Sequence, residues 1–317
     1  MKKALIIFLL PFIGFAQSIV TDVNRLFEER KYVQAQRLLL DYVAENPEDI
    51  KAIELLGDAY GFLKNWDKAV SCYKELVNSN DLNADFHYKY GGALGMKALT
   101  ANRIRALGLV GSIKKAFHTS ARLDPNHIEA RWALVELYMQ LPGIIGGSKK
   151  KALQYAEELQ ELSPVDGYLA KGYVYEYDDE PDKAEYNYKR AVEVGGSITC
   201  FDKLTAFYEN NNMPDQAIAN IEKASQKHQR NILHYQLGKV SADYNIQLDK
   251  GERCLRTFIS NHSSKDGVPV EWAYYRLAQI SKHRQNKTEA LKWIDKALQQ
   301  RSDFKQAIQE KQTIQAL

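Results

Sequence analysis

Small and apolar residues recur along this chain with a helical period inside a longer one. Ile53, Leu56, Gly57 and Tyr60 stand at i, i+3, i+4 and i+7, which gathers them on one face of a helix. Ala69, Tyr73 and Leu76 mark a second helix just after it. The preceding segment carries Leu26, Ala35, Leu39, Tyr42 and Pro47, and Ala35 stands one 34-residue period before Ala69. Downstream, Tyr88, Gly92, Phe117 and Pro125 mark a third unit, and Leu134, Tyr138, Ala152 and Pro164 a fourth. Tyr168, Gly172, Tyr175, Ala184, Tyr188 and Ala191 form a fifth, and Phe201, Leu204, Tyr208, Ala217, Ile221 and Ala224 a sixth. The seventh is weaker (Leu237, Gly238, Leu255, Phe258), and the eighth recovers with Tyr274, Leu277, Ala278, Ala290, Ile294 and Ala297. One helix pair buries too little apolar surface to stand alone, so such units stack into a continuous core.

The repeated unit resembles the tetratricopeptide repeat (TPR), two antiparallel helices of 34 residues. That resemblance implies an all-α, right-handed superhelix of about eight helix-turn-helix repeats over residues 17–302. Gly or Ala at the eighth and twentieth positions of each unit lets the paired helices approach closely. Asn46-Pro47, Asp124-Pro125 and Ser163-Pro164 end second helices, because a residue before proline avoids helical geometry. Residues 303–317 read as a C-terminal capping helix with Gln and Lys outward.

Two insertions break the period, near residues 96–112 and 142–147, each between the two helices of its unit. Insertions in repeats map to one face, often the binding face. The stretch from about His87 to Ala156 is similar to a subset of secreted bacterial TPR proteins with a Pro-Gly-Ile-x-Gly-Gly turn, here Pro142 to Gly147. The similarity implies no biochemical activity. Ile144 and Ile145 are expected either as an exposed apolar tip that contacts a partner or as a turn folded onto the repeats.

Residues 1–16 read as a secretory leader: Lys2 and Lys3, an apolar run to Phe15, and small residues at Gly14 and Ala16. The run is about 12 residues against about 20 for a membrane span, so no integral anchor is expected after cleavage. Export would take the chain to the periplasm by default, or beyond the cell. Its three cysteines, Cys72, Cys200 and Cys254, do not make a disulfide framework, although a Cys200 to Cys254 bond stays open.

The composition, 45% hydrophobic and 26% charged, excludes collagenous, disordered and polytopic membrane chains. With 43 basic against 40 acidic residues, the chain lacks the excess that neutralising many phosphates needs, so nucleic acid is not an expected partner. No enzyme motif appears. Gly143 to Lys150 fails the phosphate-loop pattern, with Ser148 and Lys149 where Gly and Ser or Thr are needed. The seven histidines are scattered and suggest no metal site, and no cofactor is expected. Asp178-Asp179-Glu180 reads as a solvated acidic turn and Lys149-Lys150-Lys151 as a solvated helix start.

The resemblance also implies where a partner binds, since first helices line a concave groove in that family. Carried over, the groove positions give Phe27, Phe62, Phe86, Trp132, Tyr173, Tyr177, Tyr235, Trp272 and Tyr275, among polar residues that include Lys89, Glu136 and Lys239. Aromatic rings with polar neighbours anchor many interfaces, although the same rings also fill seams between stacked helices. The Lys and Asn pairs that grip C-terminal carboxylates in some TPR domains are absent here. The expected function is a non-enzymatic scaffold or adaptor of the bacterial cell envelope that binds a segment of another protein. A glycan-binding or enzyme-accessory subunit and a self-assembling structural solenoid are the alternatives, and the oligomeric state is open.

Overall fold

Six residues, Arg30, Lys64, Asp179, Asn212, Asn245 and Gln285, adopt left-handed backbone geometry with φ between 54° and 59°. Each sits in the turn between the two helices of a repeat, where the chain must reverse within a few residues. The computed structural model describes residues 12–317. As far as position 11, the leader expected at residues 1–16 lies outside the described residues.

The described residues form 17 α-helices and no strand. They divide into two units, the first ending at Ser163 and the second beginning at Pro164. The first unit holds four helix hairpins: α1 (Phe12–Glu28) with α2 (Tyr32–Glu45), α3 (Ile50–Phe62) with α4 (Trp66–Ser79), α5 (Ala84–Thr100) with α6 (Arg103–Leu123), and α7 (Ile128–Gln140) with α8 (Lys149–Leu162). A short 3-10 turn, Gly143–Ile145, joins the last two. The second unit holds α9 (Pro164–Tyr177) with α10 (Pro181–Val194), α11 (Ile198–Asn210) with α12 (Pro214–His228), α13 (Asn231–Tyr244) with α14 (Leu248–Ser260), and α15 (Val270–His283) with α16 (Lys287–Gln300). The last helix, α17 (Lys305–Gln315), lies against α16 and α15. The architecture is an all-α solenoid of helix-turn-helix repeats.

Local chemistry accounts for the helix starts. Asp49, Asn83, Asn102, Ser148 and Ser197 each accept a hydrogen bond from a backbone N–H of their own helix's first turn. Close approach then follows where the repeat pattern demands it. A Cβ on Gly57 would lie 2.7 Å from the Tyr73 ring, and one on Gly172 would lie 2.6 Å from Tyr188. Ala35, Ala69, Ala184 and Ala290 are fully buried in the facing helices.

The insertions do not make long loops. The extra residues near 96–112 lengthen both helices of the third hairpin, to 17 residues in α5 and 21 in α6. Those near 142–147 form the 3-10 turn, held by Lys114, whose Nζ donates to the Ile145 carbonyl at 2.9 Å. Gly147 is required there, since a Cβ would sit 1.7 Å from the Leu141 oxygen.

Candidate partner-binding site

The lengthened helices α5 and α6, the inner face of α7 and the 3-10 turn enclose an apolar cleft of about 630 Å³ in the first unit. Leu99, Leu107, Val110, Leu137, Leu141 and Ile145 are among its apolar wall residues, with Arg103, Glu136 and Gln140 as polar groups. A volume in this range with a mainly apolar lining and a few polar groups suits a bound ligand or an inserted side-chain cluster. Gly92 and Gly95 also line it, and a Cβ on either would meet nothing within 4 Å. Mid-helix glycine costs about 1 kcal/mol relative to alanine. No close contact within the fold accounts for that cost here; the two glycines keep the cleft open.

The tight glycine of this hairpin is Gly91, not Gly92 as the sequence reading placed it. A Cβ on Gly91 would lie 2.8 Å from the Phe117 ring, matching Gly57 against Tyr73. The one-residue shift turns Tyr88, Gly92 and Gly95 toward the cleft and moves the expected groove residues Phe86 and Lys89 away from it. The exact period held the clue, because Gly91 stands 34 residues after Gly57.

Phe86 is buried in the core. Lys89 joins α5 to α3, with its Nζ 2.6 Å from Glu54 Oε1 and 2.8 Å from Asp58 Oδ1. Asp58 also accepts a hydrogen bond from the Tyr73 hydroxyl at 2.7 Å. Burial acts to raise the Glu54 pKa, but hydrogen bonds from Lys51 and Lys89 outweigh it and hold the carboxyl below its usual range. Burial acts to lower the Lys89 pKa, and the two carboxylates reverse that to a net rise. The signs therefore differ at the two ends of the pH scale. Glu54 contributes stability above its unfolded pKa, and this is lost as pH falls through the depressed folded value. Lys89 contributes below its unfolded pKa, and this is lost as pH rises through the raised folded value. Lys89→Met is expected to cost about 1 to 2 kcal/mol at neutral pH, discounted for partial exposure. Urea unfolding at pH 7 and at about pH 2 tests it, since the cost should shrink once the pH has fallen through the depressed Glu54 value and the carboxylates are protonated; an equal cost at both would remove the ion-pair account.

The other expected groove residues fall into three groups. Phe62 and Tyr177 are half exposed, at 50% and 54%. Phe62 stacks on Tyr32 with ring centres 4.6 Å apart, and Tyr177 lies 6.0 Å from Tyr173. Trp132 and Trp272 are partly buried, Trp272 edge-on to Phe304 at 4.5 Å, while exposed Glu136 lines the cleft. Tyr235 and Tyr275 are interior and follow the seam-filling alternative: Tyr235 packs 5.3 Å from Phe258, and Tyr275 packs 5.5 Å from Phe304. Tyr235 lines a smaller hollow of about 400 Å³ with Lys239, which is ion-paired to Glu209. The two insertion isoleucines part company, Ile145 turning into the cleft wall and Ile144 standing 96% exposed.

His118 was not singled out by sequence, yet it joins the third hairpin to the fourth. Its ring nitrogens lie 2.9 Å from the Tyr138 hydroxyl and 3.1 Å from the Tyr155 hydroxyl. Burial lowers its pKa, helped by Lys151 and Lys114, which favours the neutral ring that this bridge uses. The three cysteines are free thiols, so Cys200 and Cys254 are not bonded to each other.

With the hairpins and their close contacts in place, sequence comparison identifies one of them directly. Residues 50–81 match the tetratricopeptide repeat. They span α3, α4 and the Gly57–Tyr73 contact. The whole structure is similar to that of a tetratricopeptide repeat protein from Parabacteroides merdae, with TM-score 0.51 and 13% identity over 94% of this chain and 98% of that one. At that identity the likeness concerns the fold, a TPR-type solenoid. Weaker likenesses are a thermophilic TPR protein of Thermus thermophilus (TM-score 0.44, 18% identity, covering 71% and 97%) and YrrB, a TPR protein with an unusual peptide-binding site (0.43, 17%, covering 62% and 98%). None of the curated proteins matches the chain.

Proposed function

We propose that this chain is a non-enzymatic protein-interaction scaffold of the bacterial cell envelope, exported by its N-terminal leader, with the insertion cleft as its principal seat for a partner segment. The observation that carries the reading is the apolar cleft of about 630 Å³, kept open by Gly92 and Gly95. A repeat array that served only as a spacer has no need of it. Exposed Glu136 at the cleft, partly buried Trp132 four residues before it on α7 and, in the second unit, Tyr173 with Tyr177 supply further contact groups. The leader and the envelope location rest on Lys2, Lys3 and the apolar run to Phe15.

Gly95→Leu tests the seat, because Gly95 lines the cleft and a Cβ there meets nothing within 4 Å, which leaves the added side chain to occupy the cleft. Photoreactive residues at Leu107 and Tyr177, with buried Phe86 as a silent control, are expected to capture a protein partner in cells. The Leu107 crosslink should vanish in the Gly95→Leu background while thermal stability holds or rises. Crosslinks to glycan, or to copies of the same chain alone, would replace the scaffold with the polymer-binding or self-assembling alternative.

A further inference from the structure

The near-zero net charge conceals a local imbalance. From residue 86 to 123 there is no Asp or Glu, while Lys89, Lys97, Arg103, Arg105, Lys114, Lys115 and Arg122 supply seven positive charges. Arg103 and Arg105 form no ion pair among the described residues, and both are exposed. Between them stands Ile104, 84% exposed in the first turn of α6. Ile144 is 96% exposed in the next hairpin's turn. Neither isoleucine lines the cleft, so the partner seat does not account for them.

Contacts place the intra-repeat turns of the first unit side by side. Phe27 and Tyr32, flanking the first turn, meet Phe62 at the second, with ring centres 5.0 and 4.6 Å away. Lys97, near the third turn, pairs with Asp67, just past the second, at 2.6 Å. Leu99 and Leu107 share the cleft wall with Ile145 of the fourth. One edge of the unit therefore displays exposed Arg30, Lys64, Arg103, Arg105 and Lys150, with Ile104 and Ile144 projecting among them; the acidic residues of these turns are Glu28, Glu29, which pairs with Lys31, and Asp67, which pairs with Lys97, and the balance stays positive. The matching turn of the fifth hairpin is instead acidic, Asp178-Asp179-Glu180.

The geometry points to this edge as a peripheral docking surface for an anionic lipid leaflet. Cations attract the headgroups, and isolated apolar side chains enter the acyl boundary, the two signals that together hold a protein on a membrane. The lining of the cleft includes neither the cations at Arg30 and Lys64 nor the two isoleucines, so a segment seated in it leaves them unused. A flat, extended anionic surface with an apolar interior meets all of them at once. No helix among the described residues is long and apolar enough to cross a membrane, so the contact lies at the surface.

The test uses the full chain with vesicles of phosphatidylglycerol mixed into phosphatidylcholine, against vesicles of phosphatidylcholine alone. Flotation measures binding, and hydrogen exchange measured by mass spectrometry locates it. Binding is expected on the anionic vesicles only, weakened by salt, with amides near residues 99–105 and 142–146 newly protected. R105E/K150E and Ile144→Ser are each expected to weaken vesicle binding about tenfold or more. Both alter exposed side chains, so their thermal melts should match the parent chain. Gly95→Leu should leave vesicle binding intact, which separates this surface from the partner seat. Equal binding to both vesicle types, parent-like binding by the two variants, or protection confined to the N-terminal leader would each overturn the proposal.

Discussion

Phe304→Ala is expected to destabilise the second unit by about 3 to 5 kcal/mol, the usual loss when a large buried aromatic is truncated. Phe304 is fully buried, with its ring 4.5 Å from Trp272 and 5.5 Å from Tyr275. It leads into α17, whose Ala307 and Ile314 are also fully buried. Together these residues pack on the apolar face of the eighth hairpin, against α15 and α16. In a linear array each hairpin draws much of its stability from its neighbours, so loss of this contact acts first on the eighth hairpin. Trp272 and Trp293 lie in that hairpin and report on it. Urea unfolding followed by tryptophan fluorescence should show an earlier transition in the variant. A midpoint within error of the parent chain would mean that α17 does not cap the array.

Adjacent glycines should respond with opposite signs. Gly91→Ala is expected to cost about 2 kcal/mol, because its Cβ would press on the Phe117 ring at 2.8 Å and on the Ala116 Cβ at 3.1 Å in a filled seam. Gly92→Ala is expected to gain about 1 kcal/mol, since it removes backbone entropy from the unfolded chain and meets nothing within 4 Å. Neither position has positive φ, so backbone strain does not enter. Thermal melts of the two single variants decide the matter. If both move in the same direction, the register of α5 drawn from the structure is wrong.

These two residues also mark where the sequence is readable and where it stops. The helix-turn-helix period was legible because packing writes it at every repeat. Gly57, Gly172 and Gly238 must be small where Tyr73, Tyr188 and Leu255 press on them. Prolines and polar caps mark the helix ends by local chemistry that needs no tertiary contact. The double glycine hid the register of the third repeat, since either residue satisfies the pattern taken alone. Only the exact period, or the Phe117 ring, separates them. The groove residues were legible as first-helix positions but not as exposed ones. Tyr235 and Tyr275 carry the same residue type as Tyr177, yet Phe258 and Phe304 cover the first two while Tyr177 remains half exposed.

By itself the sequence determined the all-α repeat architecture, the positions of most turns, the interruption near residues 96–112 and 142–147, and the lack of recognisable catalytic motifs. These are properties of spacing and residue size, which act within one or two neighbouring helices. Only the tertiary structure decided that the first interruption extends α5 and α6 rather than forming a loop, and that a cleft opens between them and the 3-10 turn. It also decided that Lys89 is bound by Glu54 and Asp58, and that Ile144 faces outward while Ile145 faces the cleft. Each of those outcomes depends on which side chains from separate repeats arrive at the same place, and one-dimensional spacing does not carry that information.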